Sequence, residues 1–441
     1  MKIIFVLNHF LPDQLGGTEV YVFNLMQQLT LKGFNVTAVI PNYGKEKTEE
    51  YFVGQQRVIK FAEPTEINRS LIMGKIDPKG LAYFGEILKI ENPDIVHFHD
   101  LEAGSGITIR HIELSKQMGF KNIMTFHLSG YSCKTGNLMY KDKMYCDGKI
   151  KIDKCSACYY KSKNAGFFVT SVLYSFSTIL HKVGIDSSKL NNKIGTAVSF
   201  SFLIEKLKAN LNKIESNCVA LISLTKWYKE ILIQNGLPAD KISFISQGLT
   251  AQGVFKDAVI IQPDYLKIIF VGRISPLKGI HLLIKAISEL DENKVMLDIY
   301  GHDPDDDYSR QLKSTSGKMG NINWKGILVP EQVVTTMSNY NLLCLPSTFS
   351  EMSPLVIQEA FAAGIPVIAS NVYGNAEQIS DGKNGWLFTF NDSNDLRFKI
   401  QQLITNPVLI EKARNHIQPV KPFINVAEEH VQLYKRIIAA K

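Results

Sequence analysis

Short apolar runs alternate with helix-like stretches along this chain, and the alternation starts afresh near residue 267. In the first half the runs are KIIFVLN (2–8), NVTAVI (35–40), DIVHFH (94–99), NIMTFH (122–127), CVALISLT (218–225) and ISFIS (242–246). In the second half they are KIIFVG (267–272), VMLDIYG (295–301), NINWKG (321–326), NLLCLPS (341–347), IPVIAS (365–370) and GWLFTF (385–390). Short buried runs separated by helices are what a parallel sheet covered on both faces requires. The chain is therefore read as α/β, with two Rossmann-like, doubly wound domains facing each other across a cleft. Residues 1–255 are assigned to the first domain and 256–423 to the second, with 251–264 as the linker. The last segment, 424–441, reads as an amphipathic helix that packs back on the first domain, with Val426, Val431, Leu433, Tyr434 and Ile437 on one face.

The chain has 441 residues, enough for more than one core. Its net charge of +7 is mild for that length. It suits anionic small ligands or an anionic membrane surface, and it is not the footprint of a nucleic-acid binder. The first apolar run extends only from Ile3 to Leu7 and reads as a strand, not a leader peptide. No run reaches the roughly 18–20 residues of a membrane span. The expected compartment is the cytosol, where six cysteines are thiols or metal ligands in preference to disulfides.

Neither G-x-G-x-x-G nor G-x-x-x-x-G-K-[ST] stands where a dinucleotide or P-loop site needs it, which disfavours a nicotinamide dehydrogenase. Instead the first strand is followed by Gly16-Gly17 at a helix entrance, where backbone can approach a ligand and present amides. The restart strand is followed by GRISPLKGI, whose Arg273 and Lys278 suit a diphosphate. In STFSEMSPLVIQEAFAAGIPVIAS, Ser353-Pro354 reads as a helix start, with Ser as N-cap and Pro as first helical residue. The Leu355 and Val356 amides are then the first open donors for phosphate, and Ser353 can compete for them. Glu351 and Glu359 flank this helix start, placed to accept hydrogen bonds from sugar hydroxyls: Glu359 from a ribose diol, Glu351 from the transferred sugar.

Taken together, GRISPLKG, SEMSPLVIQEAFAAGIPVIAS and P-x3-GGTE resemble the retaining GT-B glycosyltransferases of the glycosyl-group-1 type, family four. The resemblance identifies Glu351 and Glu359 as the family's E-x7-E pair and Arg273 and Lys278 as its diphosphate pair. It implies sugar transfer from a nucleotide diphosphate donor, a UDP- or GDP-sugar, with retention and no obligatory metal at the reaction centre. It makes His127, in TFHLSG, the cleft histidine beside the transferred sugar, and puts Gly301 and Ile327 on the nucleobase side. Gln247 stands where the family more often has Asn, which leaves that contact to the donor open. The acceptor is expected to be a sugar or lipid-linked glycan in cell-surface polysaccharide or glycolipid assembly. The competing reading is a nucleotide-sugar-binding or scaffold protein that has lost catalysis.

Cys133, Cys146, Cys155 and Cys158 follow as C-x12-C-x8-C-x2-C, a spacing that fits a structural zinc site, with an iron–sulfur cluster or unlinked thiols as alternatives. Eight lysines and three aspartates lie between Lys134 and Lys163. Beyond them, AGFFVTSVLYSFSTILHK places Val169, Val172, Leu173, Phe176, Ile179 and Leu180 on one helical face. Such a face beside lysines suits the inner surface of an anionic membrane, or packing on the first domain.

Overall fold

The computed structural model describes residues 1–14, 16–65, 68–72, 74–102, 106–162, 166–185, 187, 195, 197–250 and 265–440. The expected linker, 251–264, lies outside them. Two compact units result: Met1–Lys141 with Cys146–Ser246 and Phe423–Lys441, and Asp142–Tyr145 with Gln247–Pro422.

The first unit is built on eight strands: β1 (Lys2–Val6), β2 (Asn35–Tyr43), β3 (Glu49–Val53), β4 (Gln56–Glu63), β5 (Ile95–Phe98), β6 (Lys121–Phe126), β9 (Ala220–Ser223) and β10 (Ile242–Phe244). Two short strands of the cysteine segment, β7 (Met139–Tyr140) and β8 (Met144–Tyr145), belong to neither large sheet. The order is β10-β9-β6-β5-β1-β2-β4-β3, parallel except for β3 against β4. The chain leaves β1 towards β2 and β4, then returns to place β5 on β1's other side. That reversal opens a crevice at the carboxyl ends of β1 and β5.

β3 and β4 are absent from the sequence reading. Charged residues interrupt both runs, and the signal that would have found them is the two-residue Gly54-Gln55 turn, with Gly54 at φ 58°.

The second unit has six parallel strands: β11 (Leu266–Val271), β12 (Val295–Tyr300), β13 (Ile322–Gly326), β14 (Leu342–Leu345), β15 (Val367–Ser370) and β16 (Gly385–Phe388). Their order, β13-β12-β11-β14-β15-β16, reverses between β11 and β14. All six fall on the expected runs. Because side chains alternate along a strand, Ile268 and Phe270 of β11 enter one core while Ile269 enters the core on the opposite face.

The helix Phe423–Ala439 belongs to the first unit. It buries Phe423, Val426, Leu433, Tyr434 and Ile437 in the same core as Tyr21, Leu25 and Leu29 of the helix Gly17–Leu31.

Candidate functional site

The second unit's reversal brings the loop after β11 against the loop after β14. Thr348 donates its amide to the Leu277 carbonyl at 2.8 Å and its hydroxyl to Pro276 at 2.9 Å. Gly279 turns the chain at φ 69°, and a Cβ there would lie 1.8 Å from the Pro346 carbonyl oxygen, so only glycine lets the loops meet. The closure delivers Lys278 to Glu351: Nζ donates to Oε1 at 2.6 Å, and the Ser347 hydroxyl donates to the same oxygen at 2.7 Å. Glu351 and Ser347 are buried. Lys278 also lies 5.4 Å from the centre of the Phe349 ring. Sequence reading gave Lys278 and Glu351 separate ligand contacts; the structure pairs them with each other. Arg273 is exposed, and the described residues give it no ion pair.

The helix Leu355–Ala362 starts differently from the sequence expectation. Pro354, with ψ 117°, is the N-cap and Leu355 the first helical residue; no side chain caps the helix, so Ser353 does not compete for its amides. Proline's fixed φ is compatible with a helix, but its extended ψ here delays the start by one residue. Glu359 projects from the second turn, partly exposed. Burial alone pushes its carboxyl up to about 7. Gly301 donates its amide to Gly326 at 2.7 Å, and a Cβ on it would meet the Gly272 carbonyl oxygen at 1.9 Å. Its glycine identity therefore follows from packing between the ends of β11 and β12. Ile327 is two-thirds exposed, at 67%. Gln247 is buried, and its side-chain oxygen finds no hydrogen-bond partner among the described residues.

In the first unit, Gly16 caps the helix Gly17–Leu31 in an extended conformation. The amides expected to stand open there are met by Glu19, whose carboxylate accepts from Gly16 and from its own backbone. Burial nevertheless raises the Glu19 carboxyl, outweighing those bonds. A Cβ on Gly17 would find open space.

His127 follows β6 and is buried; its Nε2 lies 2.9 Å from His99 Nδ1. Burial, with His430 nearby, pushes its imidazolium down to about 3, so it is neutral at physiological pH. His97 continues the network, with Tyr434 OH at 2.8 Å and Thr125 Oγ1 at 2.8 Å. His430 and Tyr21 were missed by sequence reading, and Tyr434 was read only as part of the last helix's apolar face, because no local pattern ties that helix to β5 and β6.

Asp100 was also missed, although it lies two residues beyond β5 at the reversal. Burial, with Glu102 beside it, pushes its carboxyl up to about 7. Leu101 and Glu102, with Leu128 and Tyr131 after β6, help line a cavity of about 420 Å³ that also reaches Arg110 and Lys206.

The four cysteines Cys133, Cys146, Cys155 and Cys158 line one small cavity of about 20 Å³. Three sulfurs accept amide hydrogen bonds: Cys146 from Gly148, Cys155 from Lys151, and Cys158 from Lys141 at 3.2 Å. Among the described residues no three His, Cys, Asp or Glu side chains are arranged to hold a metal ion. The sulfurs share a pocket but do not converge on a point: Cys133 faces Thr135 Oγ1 at 3.1 Å and Cys146 faces Asp147 at 3.8 Å. Cys218 and Cys344 are buried in the two cores.

Two family models match this arrangement. Residues 254–420 match the glycosyl transferases group 1 family, and residues 15–145 match glycosyltransferase family 4. The chain belongs to the group 1 glycosyltransferases. An uncharacterised glycosyltransferase of Methanocaldococcus jannaschii is 22% identical over 99% of this glycosyltransferase and 98% of its own length. A putative colanic acid biosynthesis glycosyltransferase of Escherichia coli is 27% identical over 42% of this chain and 48% of its own. The fold aligns with Anabaena HepE, solved in complex with UDP-glucose, at a TM-score of 0.60 and 16% identity, covering 99% of this chain and 98% of that one. Among the glycosyltransferase's described residues, no helix is long and apolar enough to cross a membrane.

Proposed function

We propose that this glycosyltransferase moves a sugar from a nucleoside diphosphate donor, a UDP- or GDP-sugar, to a hydroxyl acceptor with retention, in polysaccharide or glycolipid assembly. The observation that carries the proposal is the second unit's reversal, where Lys278 is held by Glu351 and Ser347 beside exposed Arg273 and an uncapped helix start. Arg273, Lys278 and the Leu355 and Val356 amides take the diphosphate, whose charge grows as the bond to the anomeric carbon breaks. A new bond forms on the same face, and a donor phosphate oxygen takes the acceptor's proton. No metal is needed at that centre. Glu359 accepts the ribose hydroxyls, and the oxygens of Glu351 accept from the transferred sugar. His127 serves as a neutral hydrogen-bonding group at the sugar. The 420 Å³ cavity of the first unit takes the acceptor. Support for the donor class comes from the UDP-glucose bound to HepE. Support for the pathway comes from the colanic acid relative.

Arg273→Ala is the decisive variant, because it removes a ligand charge without breaking an ion pair among the described residues. Thermal stabilisation by a panel of UDP-, GDP- and ADP-sugars should single out one base for the wild type. Arg273→Ala should weaken that donor about tenfold or more while melting unchanged without it. If no donor stabilises the wild type, or the variant binds equally well, the diphosphate assignment fails.

We also propose that the cysteine pocket takes a structural zinc ion, with the sulfurs exchanging Thr135 and Asp147 for the metal. Burial raises the Cys146 and Cys155 thiols, and the amide–sulfur bonds pull the other way, towards the thiolates that a bound metal would complete. Purified protein should carry one equivalent of zinc, and Cys155→Ser/Cys158→Ser should carry none. Equal zinc content in both would reject these ligands.

A further inference from the structure

The helix Phe167–Lys182 packs against its neighbours, Ile152–Ser162 and Phe200–Asn217, with the less apolar part of its surface. Ser177 is buried and bonded to Ser201 at 3.1 Å. Tyr174 donates to Asp153 at 2.7 Å, and His181 meets Glu205 at 2.9 Å. Leu173 is the main aliphatic residue turned inward, towards Tyr160, Phe200 and Leu203. The larger apolar side chains face out: Phe168 is 78% exposed, Val169 50%, Val172 51%, Phe176 52%, Ile179 56% and Val183 62%. Their spacing of three and four residues makes one stripe, about 22 Å long at the rise of an α-helix. This reverses the usual rule for a surface helix, in which the apolar stripe is the packed one.

The composition around the stripe says what it meets. From Lys134 to Ile185 the chain has nine lysines, three aspartates and no glutamate. Two of the aspartates are engaged within the protein, Asp147 by Lys154 and Asp153 by Tyr174. Lys149, Lys151, Lys161 and Lys182 are exposed. We propose that this helix is a docking surface for an anionic lipid bilayer: the stripe lies in the interface between headgroups and acyl chains, and the lysines meet lipid phosphates. The helix lies in the membrane plane and does not span it. Docking here does not depend on the donor assignment above.

The full-length protein should co-sediment with vesicles of phosphatidylcholine mixed with phosphatidylglycerol, and far less with phosphatidylcholine alone. Phe176→Ser/Ile179→Ser changes only exposed side chains, so its melting temperature and its donor-induced stabilisation should match the wild type. Its affinity for the anionic vesicles should fall about tenfold for each side chain removed. Three results would overturn the proposal: no binding by the wild type, equal binding by the variant, or a wild-type dimer in solution that the variant abolishes. The last would make the stripe a contact between copies of the chain.

Discussion

Glu359 is poised to lose its proton close to neutrality, and that has a direction. Because burial raises its carboxyl to about 7, the folded chain favours the neutral form. Its contribution to stability is therefore full below the ordinary carboxylate range and is lost as pH rises through about 7. Ribose hydroxyls donate best to the ionised form, so nucleotide binding should strengthen from about pH 6 to pH 8, with a proton released on binding. Glu359→Gln should show a flatter slope by titration calorimetry; parallel slopes would mean this carboxylate does not meet the nucleotide. Glu351 calls for a different expectation. It lies 73 residues from Lys278 and the two are nearly buried together, so removing its charge strands a cation. Glu351→Gln should cost about 1–3 kcal/mol in stability by chemical denaturation and lower turnover about a hundredfold. Sequence reading found Lys278 and Glu351 because each lies in a loop that follows a strand of the second unit. It missed their pairing because sequence separation hides which loops a reversal brings together.

At the scale of elements, the loop after β11 works only if it can pass close to the loop after β14. Gly279→Ala would place a side chain in the left-handed region and against the Pro346 carbonyl. The expected loss is about 1–3 kcal/mol or more, together with weakened donor binding, since Lys278 is the preceding residue. Gly17→Ala meets open space and should leave the melting temperature within about a degree or two. Equal destabilisation by the two would contradict the close-approach reading. The strands β11, β14 and β15 of the second unit were legible because they are largely buried and read as nearly unbroken apolar runs. The β3–β4 hairpin was not, since β3 is an exposed edge strand and charged residues interrupt the run of β4. The start of the helix Leu355–Ala362 was misread by one residue because a proline can stand on either side of a helix boundary, and only its ψ decides.

At the scale of the whole molecule, the first unit draws its core from both ends of the sequence. Tyr434 bonds to His97 at 2.8 Å, and Phe423, Val426 and Leu433 share the core of Tyr21 and Leu25. A chain ending at Pro422 should therefore lose the protease resistance of its first unit while the second survives as a resistant fragment of about residues 265–422. Equal survival of both would show that the last helix is dispensable. The same connectivity sets an order on synthesis. As the chain leaves the ribosome from its first residue, the second unit has all its strands before the first has its last helix. The earlier-made half waits, with the surface around Tyr21 uncovered, until the helix Phe423–Ala439 emerges. A chain stalled or cut short before that helix thus displays an apolar face to chaperones and proteases, and only a chain that includes it conceals that face.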